Sequence, residues 1–499
     1  PRSTLFPYPT LFRSLSTTMS ESSLGNAPNG PVEVIGAGRK TTIGIVGAIT
    51  AAVLVLLLPS PANLPPEAQR LGAIFLAAII LWATEALPIA VTALLVIVLQ
   101  PLLRVAELDV AFKAFVSPVF FFVLAMFCIA AAVTNAGLDR RFAYWLLARA
   151  GTDSRRVVIA LIVGTAATSM FISDVPACAI FMSIGLGVMS RLNLEPGKSA
   201  IGKAIMVGIP IGSLIGGVTT PAGSSVNILG LHFIEEFGNV TVSFVEWMAI
   251  GIPMSVGLVP VACWAILRCF PPEIPTIGDA GLIERERAEL GPMSAPERKT
   301  VTLLATMMVL WIAGSWIEFL DVLTVGLGGA IVMFFPGMRL LTWKQAERAT
   351  GWDTMLMIGG VTSLGTASVN TGLATWLVGL ALGGVASWHI IFVLLAISAF
   401  TVVIHLALPI GPVVNAVVIP PIALLAISAG ANPALYALPV AFTASCAFLL
   451  PLDAVALLTY SRGYYRMHEM LTPGLLVSAV WVIWMTVVML VVGPFLGFV

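Results

Sequence analysis

The sequence predicts an all-α, polytopic membrane protein built from two related halves. Three observations carry that prediction. Of the 499 residues, 59% are hydrophobic and only 10% charged, with a mean hydropathy of +1.01; a soluble globular domain is about a quarter charged. Apolar runs of about 20 residues, the length that crosses a bilayer, recur along the chain. Polar interruptions break those runs at matching places in the two halves. A chain this long and this apolar cannot hide its excess in one core. Its net charge of zero argues against a nucleic-acid surface. Five cysteines (Cys128, Cys178, Cys263, Cys269, Cys446) lie in apolar segments, with spacing that fits neither a disulfide framework nor a zinc site.

From the start, residues 1–18 read as foreign to the natural chain, with Met19 as its expected first residue, and 1–40 as a disordered tail rich in Ser, Gly, Asn and Pro. Spans are expected over 41–59, 68–87, 88–105, 117–136, 245–271, 300–319, 322–336, 353–370 and 471–497. The run 138–150 pairs arginines with aromatics, which suits an amphipathic helix at the interface. The long polar loop 272–299 divides the membrane region into nearly equal parts. Across it, "TNAGLDRRFAYWL" (Thr134–Leu146) is echoed by "VNTGLATWL" (Val369–Leu377), and "WATEALP" (Trp82–Pro88) more faintly by "WIEFLD" (Trp316–Asp321). Matching interruptions in two halves suggest a transporter whose site lies where the interruptions converge.

Four interrupted segments define that site. In 155–190 two apolar arms of about 15 residues meet at Ser173-Asp174-Val175-Pro176 and read as a re-entrant hairpin. Irregular backbone at membrane depth survives only inside protein or beside a wet cavity. Pro176 fits the first turn of the second arm, and a helix N-terminus there presents N–H groups to an anion. In 388–428 the arms surround Pro409, Ile410, Gly411 and Pro412, with His405 before the tip and Asn415 one turn beyond it. "TTPAGSSVN" (Thr219–Asn227) offers carbonyls and hydroxyls, hard oxygen donors suited to sodium, and "LPLDAVALLTY" (Leu450–Tyr460) carries Asp453 in the corresponding place, with breaks expected around 219–227 and 451–460.

With "WATEALP", "WDTMLMIGGVTSLGTASVNTGLATWL" (Trp352–Leu377), "TTPAGSSVN" and "LPLDAVALLTYSRGYY" (Leu450–Tyr465), the chain resembles the divalent anion:sodium symporter family from about residue 41 to 499. The resemblance implies about eleven transmembrane helices plus two re-entrant hairpins in an inverted repeat, dimerisation through a scaffold, and elevator-type transport. It implies scaffold parts over 41–154 and 245–387 and transport parts over 155–244 and 388–499. It also implies a small dicarboxylate, citrate or sulfate-like anion held between the tips, with sodium beside each. Where the family carries Ser-Asn-Thr, this chain has Ser173, Asp174 and Val175 at the first tip and Ile410, Gly411 and Pro412 at the second. The family's Pro-Gly-Asn element falls on Pro221, Gly223 and Asn227, and in the second half on Pro451, with Asp453 nearby in place of the asparagine.

The expected substrate contacts are therefore Ser173, Val175, Pro176, Ile410, Gly411 and Pro412. The expected cation ligands are Ser173, Asp174, Thr220, Pro221, Gly223, Asn227 and Asp453, with His405 and Asn415 as further candidates. Asp174 admits three readings: a sodium ligand, a proton carrier, or a helix cap. An ionised carboxylate at mid-membrane costs several kcal/mol unless paired or wet. His405 has a simpler alternative as a satisfied interior histidine, and Asp453 as a cap. The leading function is sodium-driven anion symport, with no cofactor and with the lipid bilayer and a second copy of the chain as partners. Proton coupling through Asp174 and Asp453, and an ion antiporter or metalloid-anion efflux carrier of related architecture, are the alternatives. An enzyme lacks support: the sequence shows no metal-ligand cluster, Ser/His/Asp arrangement or nucleotide loop.

Arg39 and Lys40 precede the first span, and Arg140, Arg141, Arg149, Arg155 and Arg156 follow the fourth. By the positive-inside rule both groups face the cytoplasm. Cytoplasm-specific reporters fused at residue 40 and at residue 152 should both be active; an inactive fusion at either place reverses this orientation.

Overall fold

A computed structural model describes residues 37–61, 64–84, 86–276, 288, 290–382, 384, 388–406, 408 and 410–498. Residues 1–36 of the expected start and tail, Glu85 of "WATEALP", Pro409 of the second tip and residues 277–287 and 289 of the inter-repeat loop lie outside the described residues, while 37–40, expected to belong to the tail, open the first helix. Among those described, the regular structure is helical, with one isolated bridge between Asp153 and Thr276.

Helix α1 (Ala37–Leu57) stands before a repeat of ten helices. The first copy runs α2 (Pro66–Thr84), α3 (Ile89–Leu102), α4 (Leu108–Phe115), α5 (Pro118–Ala136), α6 (Leu138–Ala150), α7 (Ser154–Ile172), α8 (Asp174–Arg191), α9 (Ala200–Gly217), α10 (Ser225–Gly238) and α11 (Phe244–Cys269). The second runs α12 (Ala295–Ala313), α13 (Val322–Val332), α14 (Trp343–Ala349), α15 (Trp352–Asn370), α16 (Leu373–Leu382), α17 (Ile390–Ile404), α18 (Gly411–Ser428), α19 (Pro433–Thr443), α20 (Ala454–Tyr460) and α21 (Leu471–Val492). Several pairs match in length, with 19 residues each in α2 and α12, 8 and 7 in α4 and α14, and 19 each in α5 and α15, while α19 and α20 are shorter than α9 and α10.

Local chemistry explains the boundaries. Ser243 with Glu246 and Ser294 with Glu297 form capping boxes that start α11 and α12. The sequence echo around Thr134 and Val369 is one backbone device used twice: α5 stops at Gly137 (φ +79°) and α15 is followed by Gly372 (φ +80°). A left-handed residue ends a helix, and glycine adopts that conformation without a Cβ penalty. Outside the spans, Arg141 on α6 pairs with Glu297 on α12 (Nε to Oε1 2.6 Å) and donates to the carbonyls of Leu290, Gly291 and Pro292, tying the two halves at the inter-repeat loop.

Seven segments are long and apolar enough to cross a bilayer by length and composition, and six shorter apolar helices accompany them among the described residues. The outward faces of α1 and α21 expose Ile49, Leu57, Ile483 and Val491, as lipid contact requires. Helix α9 is buried along nearly its whole length. It lies against α7 backbone to backbone: a Cβ on Gly216 would fall 2.0 Å from the Ala166 carbonyl oxygen, and one on Gly212 would fall 2.6 Å from that of Ile162. Small residues at helix contacts are how membrane helices pack without a hydrophobic driving force. Trp247 on α11 stacks on Phe442 on α19 at 4.2 Å between ring centroids.

Two sequence expectations shift. The arms of the first hairpin have 19 and 18 residues rather than about 15, because the helices continue through the polar Ser154 and Arg191 ends and leave Ser173 alone as the turn. The second break does not lie around 451–460: α19 stops at Thr443 and α20 begins at Ala454, so the unwound stretch is 444–453 and Asp453 is its last residue.

No atom lies within 4 Å of a Cβ built on Gly137, and only Pro65 Cγ at 3.9 Å for Gly372. Alanine at either place should therefore cost backbone energy alone, about 1–2 kcal/mol. Thermal unfolding in detergent should show similar losses for Gly137→Ala and Gly372→Ala, with Gly137→Asn recovering much of the loss.

Candidate functional site

The site grows from the turn between α7 and α8. Ser173 has φ +77° and ψ 156°, a conformation nearly reserved for glycine that costs on the order of 1–3 kcal/mol elsewhere. It aims the next residue inward. The Asp174 carboxylate accepts from Ser173 Oγ at 3.1 Å and Val175 N at 2.9 Å through Oδ1, and from Ser224 Oγ at 3.1 Å through Oδ2. Its backbone carbonyl accepts from Ser213 Oγ at 2.6 Å. The tip is thus fastened both to α9 and to the unwound stretch after it. No Lys or Arg pairs with Asp174 among the described residues.

Between α9 and α10 the chain unwinds through a single 3-10 turn, Pro221–Gly223. A helix that stops leaves carbonyls without partners, and no bulk water serves them inside the hydrocarbon core. Here each has one. Ser255 Oγ donates to Ile215 O at 2.7 Å, Thr219 N to Gly216 O at 3.0 Å, Asn227 Nδ2 to Gly217 O at 2.8 Å and Thr220 O at 2.9 Å, and Trp247 Nε1 to Val218 O at 2.9 Å. The fully buried Asn227 therefore spends both amide hydrogens on the break, and its Oδ1 accepts from Ser445 Oγ at 2.9 Å in the second break. Gly217 and Gly223 allow the strands of this knot to touch: a Cβ on Gly217 would meet Gly223 O at 3.2 Å, Ser169 Oγ at 3.3 Å and Asp174 Cβ at 3.5 Å. Ser169 Oγ is buried there without a hydrogen-bond partner.

The halves exchange contacts. Second-arm helix α8 packs on α20 of the other half, and α18 packs on α10. Cys178 Sγ, on α8, donates to Val455 O at 3.4 Å, and Asn415 Nδ2, on α18, to Val226 O at 2.8 Å. These pairs occupy equivalent positions, each donor being the fifth residue of its helix and each acceptor the second residue of its own. Asp453 caps α20 by accepting from Val455 N at 2.9 Å. The exchange brings Asp453 within electrostatic reach of Asp174, with the Cys178 and Cys446 thiols in reach of both carboxylates. Asp453 likewise has no basic partner among the described residues.

The family described as "Sodium:sulfate symporter transmembrane region" matches residues 39–499. This chain belongs to that family. It is a transporter, not an enzyme, and an integral multi-pass membrane protein whose bacterial relatives point to the plasma membrane. It is 27% identical over 432 residues to a "Membrane protein" of Cupriavidus necator (82% of this chain, 84% of that one). It is 27% identical over 482 residues to the "Sodium-dependent dicarboxylate transporter SdcS" of Staphylococcus saprophyticus (91% and 92%), and 27% identical over 484 residues to the protein of that name in Staphylococcus aureus (91% and 91%). Among solved structures, the Alcanivorax borkumensis YdaH transporter aligns with 93% of this chain and 98% of its own at 13% identity and a TM-score of 0.47.

In this sodium:sulfate symporter family member, the residues singled out from sequence gather around the start of α10, with different surroundings. Ser173 is half-buried, Asp174 buried, Val175 exposed and Pro176 half-buried in the first turn of α8. Thr220 is buried, with Oγ1 donating to Met170 O at 2.7 Å, and Pro221 and Gly223 form the buried 3-10 turn. Among the described residues of the second tip, Ile410 is partly exposed. Gly411 and Pro412 are buried, and a Cβ on Gly411 would fall 2.5 Å from Ala444 O. His405 Nε2 lies 2.9 Å from Ala444 O, while its Nδ1 and Asn415 Oδ1 are buried without partners. The described residues hold no group of three His, Cys, Asp or Glu side chains suited to a metal. Sequence reading misses Ser169, Ser224 and Ser445. Ser169 sits one helical turn before Ser173, a spacing that places both on one face. Ser445 sits in "TASCAF" (Thr443–Phe448), a polar patch inside an apolar run that marks the true second break.

Removing the Asn227 side chain leaves two buried carbonyls unpaired, each worth about 1–3 kcal/mol, whereas Ser445→Ala strands one acceptor. Thermal unfolding should therefore show Asn227→Ala losing clearly more stability than Ser445→Ala. The double mutant should lose less than the sum of the two.

Proposed function

We propose that this protein is a secondary active transporter that moves a small divalent anion, a dicarboxylate, citrate or sulfate-like species, across the membrane by symport with sodium. One observation carries the reading. An acidic pair, Asp174 and Asp453, stands beside the interrupted helices with no Lys or Arg paired to either among the described residues. A site with that charge binds an anion only after cations have joined it. Relatives named as sodium-dependent dicarboxylate transporters support sodium and the anion class.

The cation is proposed to sit where Ser169 Oγ, the Asp174 carboxylate, Ser224 Oγ and the Gly223 carbonyl converge, all hard oxygen donors. Asn227 and Thr220 hold that geometry, because their side-chain hydrogens are already committed to backbone carbonyls. Asp453 supplies charge from the other half. The anion is proposed to lie between Ser173 with its neighbours Val175 and Pro176 and the second tip at Ile410, Gly411 and Pro412. Two unit charges 4 Å apart interact by about 4 kcal/mol at an effective dielectric of 20. An uncompensated Asp174 therefore repels the anion strongly. Bound sodium cancels the repulsion, so sodium should tighten anion binding, and by linkage the anion should tighten sodium. The swapped contacts of α8 with α20 and of α18 with α10 support grouping the parts at 155–244 and 388–499 into one moving body of an elevator-type homodimer.

Proton coupling is the second reading. Two carboxylates within reach of each other and without a basic partner can take a proton in place of a cation.

Uptake of labelled succinate, citrate and sulfate into proteoliposomes, under an inward sodium gradient or an inward proton gradient, decides between them. Sodium should drive uptake. Asp174→Asn should keep sodium-driven uptake while raising the sodium requirement by about tenfold, roughly 1.4 kcal/mol. Uptake driven by protons without sodium, and abolished in Asp174→Asn, would replace sodium with the proton. No uptake of any of the three anions would remove the proposed substrate class.

A further inference from the structure

A cavity of about 530 Å³ lies away from the acidic pair, between α1 and α2 on one side and α16 and α18 on the other. Its size is that of a small-molecule site. Its walls are apolar, with Phe75 and Ile79 from α2, Trp376 from α16 and Ala416 and Pro421 from α18. The polar side chains at its edge are already satisfied. Gln69 Nε2 donates to Val55 O at 2.7 Å and Leu58 O at 2.8 Å, and its Oε1 accepts from Ser60 Oγ. Ser368 Oγ donates to Gly365 O at 2.7 Å. Nothing in the wall asks for a polar ligand.

Three features of its placement say what fills it. The cavity begins at the turn between α1 and α2, where Pro59 and Pro61 mark the end of the apolar run, and follows α2 inward from Gln69 to Ile79. Ten residues of helix rise about 15 Å, so the cavity runs from the interface about half-way through a hydrocarbon core of roughly 30 Å. It is open on one side, and its exposed lining residues are Leu58, Pro59, Pro61, Leu76 and Leu377. The opening is thus bounded by apolar side chains, the prolines at its interface end and the leucines beside or on helices that face hydrocarbon, and it continues the lipid-facing surface of α1, where Ile49, Val53 and Leu57 are exposed. An elongated apolar slot with these properties is shaped for an acyl chain whose headgroup stays at the interface.

We propose that this cavity is a lipid site, holding one acyl chain of a bilayer phospholipid against α18, the arm that carries the second tip. Gly72 helps keep the slot open. A Cβ there would have only Leu373 Cδ1 nearby, at 3.8 Å, so a larger side chain extends into the cavity rather than into backbone.

The test uses the full chain reconstituted in phosphatidylcholine vesicles containing a phosphatidylcholine with a diazirine on its acyl chain. After photolysis, peptide mass spectrometry compares adducts on segments 64–79 and 368–377 with adducts on the outward face of α21 around Ile483 and Val487. The expected result is denser labelling of the cavity segments, falling several-fold in Gly72→Phe while α21 labelling is unchanged. Ala416→Leu serves as the second filling variant if Gly72→Phe does not fold. Cavity labelling no denser than on α21, or indifferent to filling in a folded variant, overturns the proposal. So does cavity labelling that appears only when residues 1–36 are removed, which would make the chain's own N-terminal segment the occupant. Cross-links between two copies at these segments in place of lipid adducts would overturn it as well.

Discussion

The structure depends on one constraint, that a helix broken inside a membrane must find partners for its own carbonyls. The break after α9 frees the carbonyls of Ile215 through Val218 and Thr220, and the surrounding fold supplies them from three directions. Ser255 and Trp247 reach in from α11, and Asn227 reaches back from α10. Each of these donors is buried, so each is positioned by packing rather than by chance contact with solvent. The stack of Trp247 on Phe442 and the close seat of α9 on α7 then serve as the frame that keeps the donors in place. A buried amide hydrogen bond contributes about 1 kcal/mol when made and costs more when lost. The break is therefore tolerated because its carbonyls are paired, while Ser169 Oγ beside them is left without a partner.

The same constraint joins the two halves. Asn227 holds the first break with its nitrogen and the second with its oxygen, through Ser445. Cys178 and Asn415 then repeat one contact in both directions, each second-arm helix holding the first turn of the other half's post-break helix. The first break's carbonyls are served from within its own half, and the second half meets that knot through Ser445 on Asn227 Oδ1. This is the physical meaning of the repeat: two units of ten helices whose interruptions are complementary and meet on the same few residues.

Against this symmetric backbone the side chains are unequal. Asp174 lies at the first tip, while the equivalent place at the second is Gly411, packed against Ala444 and Val226. Asp453 and Ser224 are equivalent caps, one charged and one neutral. The second tip accordingly has Ile410 and Pro412 instead of polar side chains. A carboxylate in the bilayer core costs several kcal/mol unless it is balanced. The proposed coupling ion is the balance that the chain itself does not provide.

Sequence alone determined a good deal. The composition required a membrane protein. Each expected span falls on a helix, although α4, α9, α14 and α19 were not among them, and the polar interruptions marked both tips and the first break. All of these are local properties, set by what a stretch of some 20 residues can do in hydrocarbon. The turns at Gly137 and Gly372 showed in the sequence only as an echo between two stretches, and the structure supplied their left-handed backbone. What only the tertiary structure decided is which distant groups meet. Nothing near Ser445 in sequence says that it serves Asn227, 218 residues away. Nothing near Asp453 says that its helix will lie against the arm that carries Asp174. The position of the second break also escaped local reading, since 444–450 is nearly as apolar as a helix and unwinds only where partners in the other half accept it. Hydrophobic periodicity reports the medium a residue faces; it does not report the partner, because partners are fixed by how the two halves interlock.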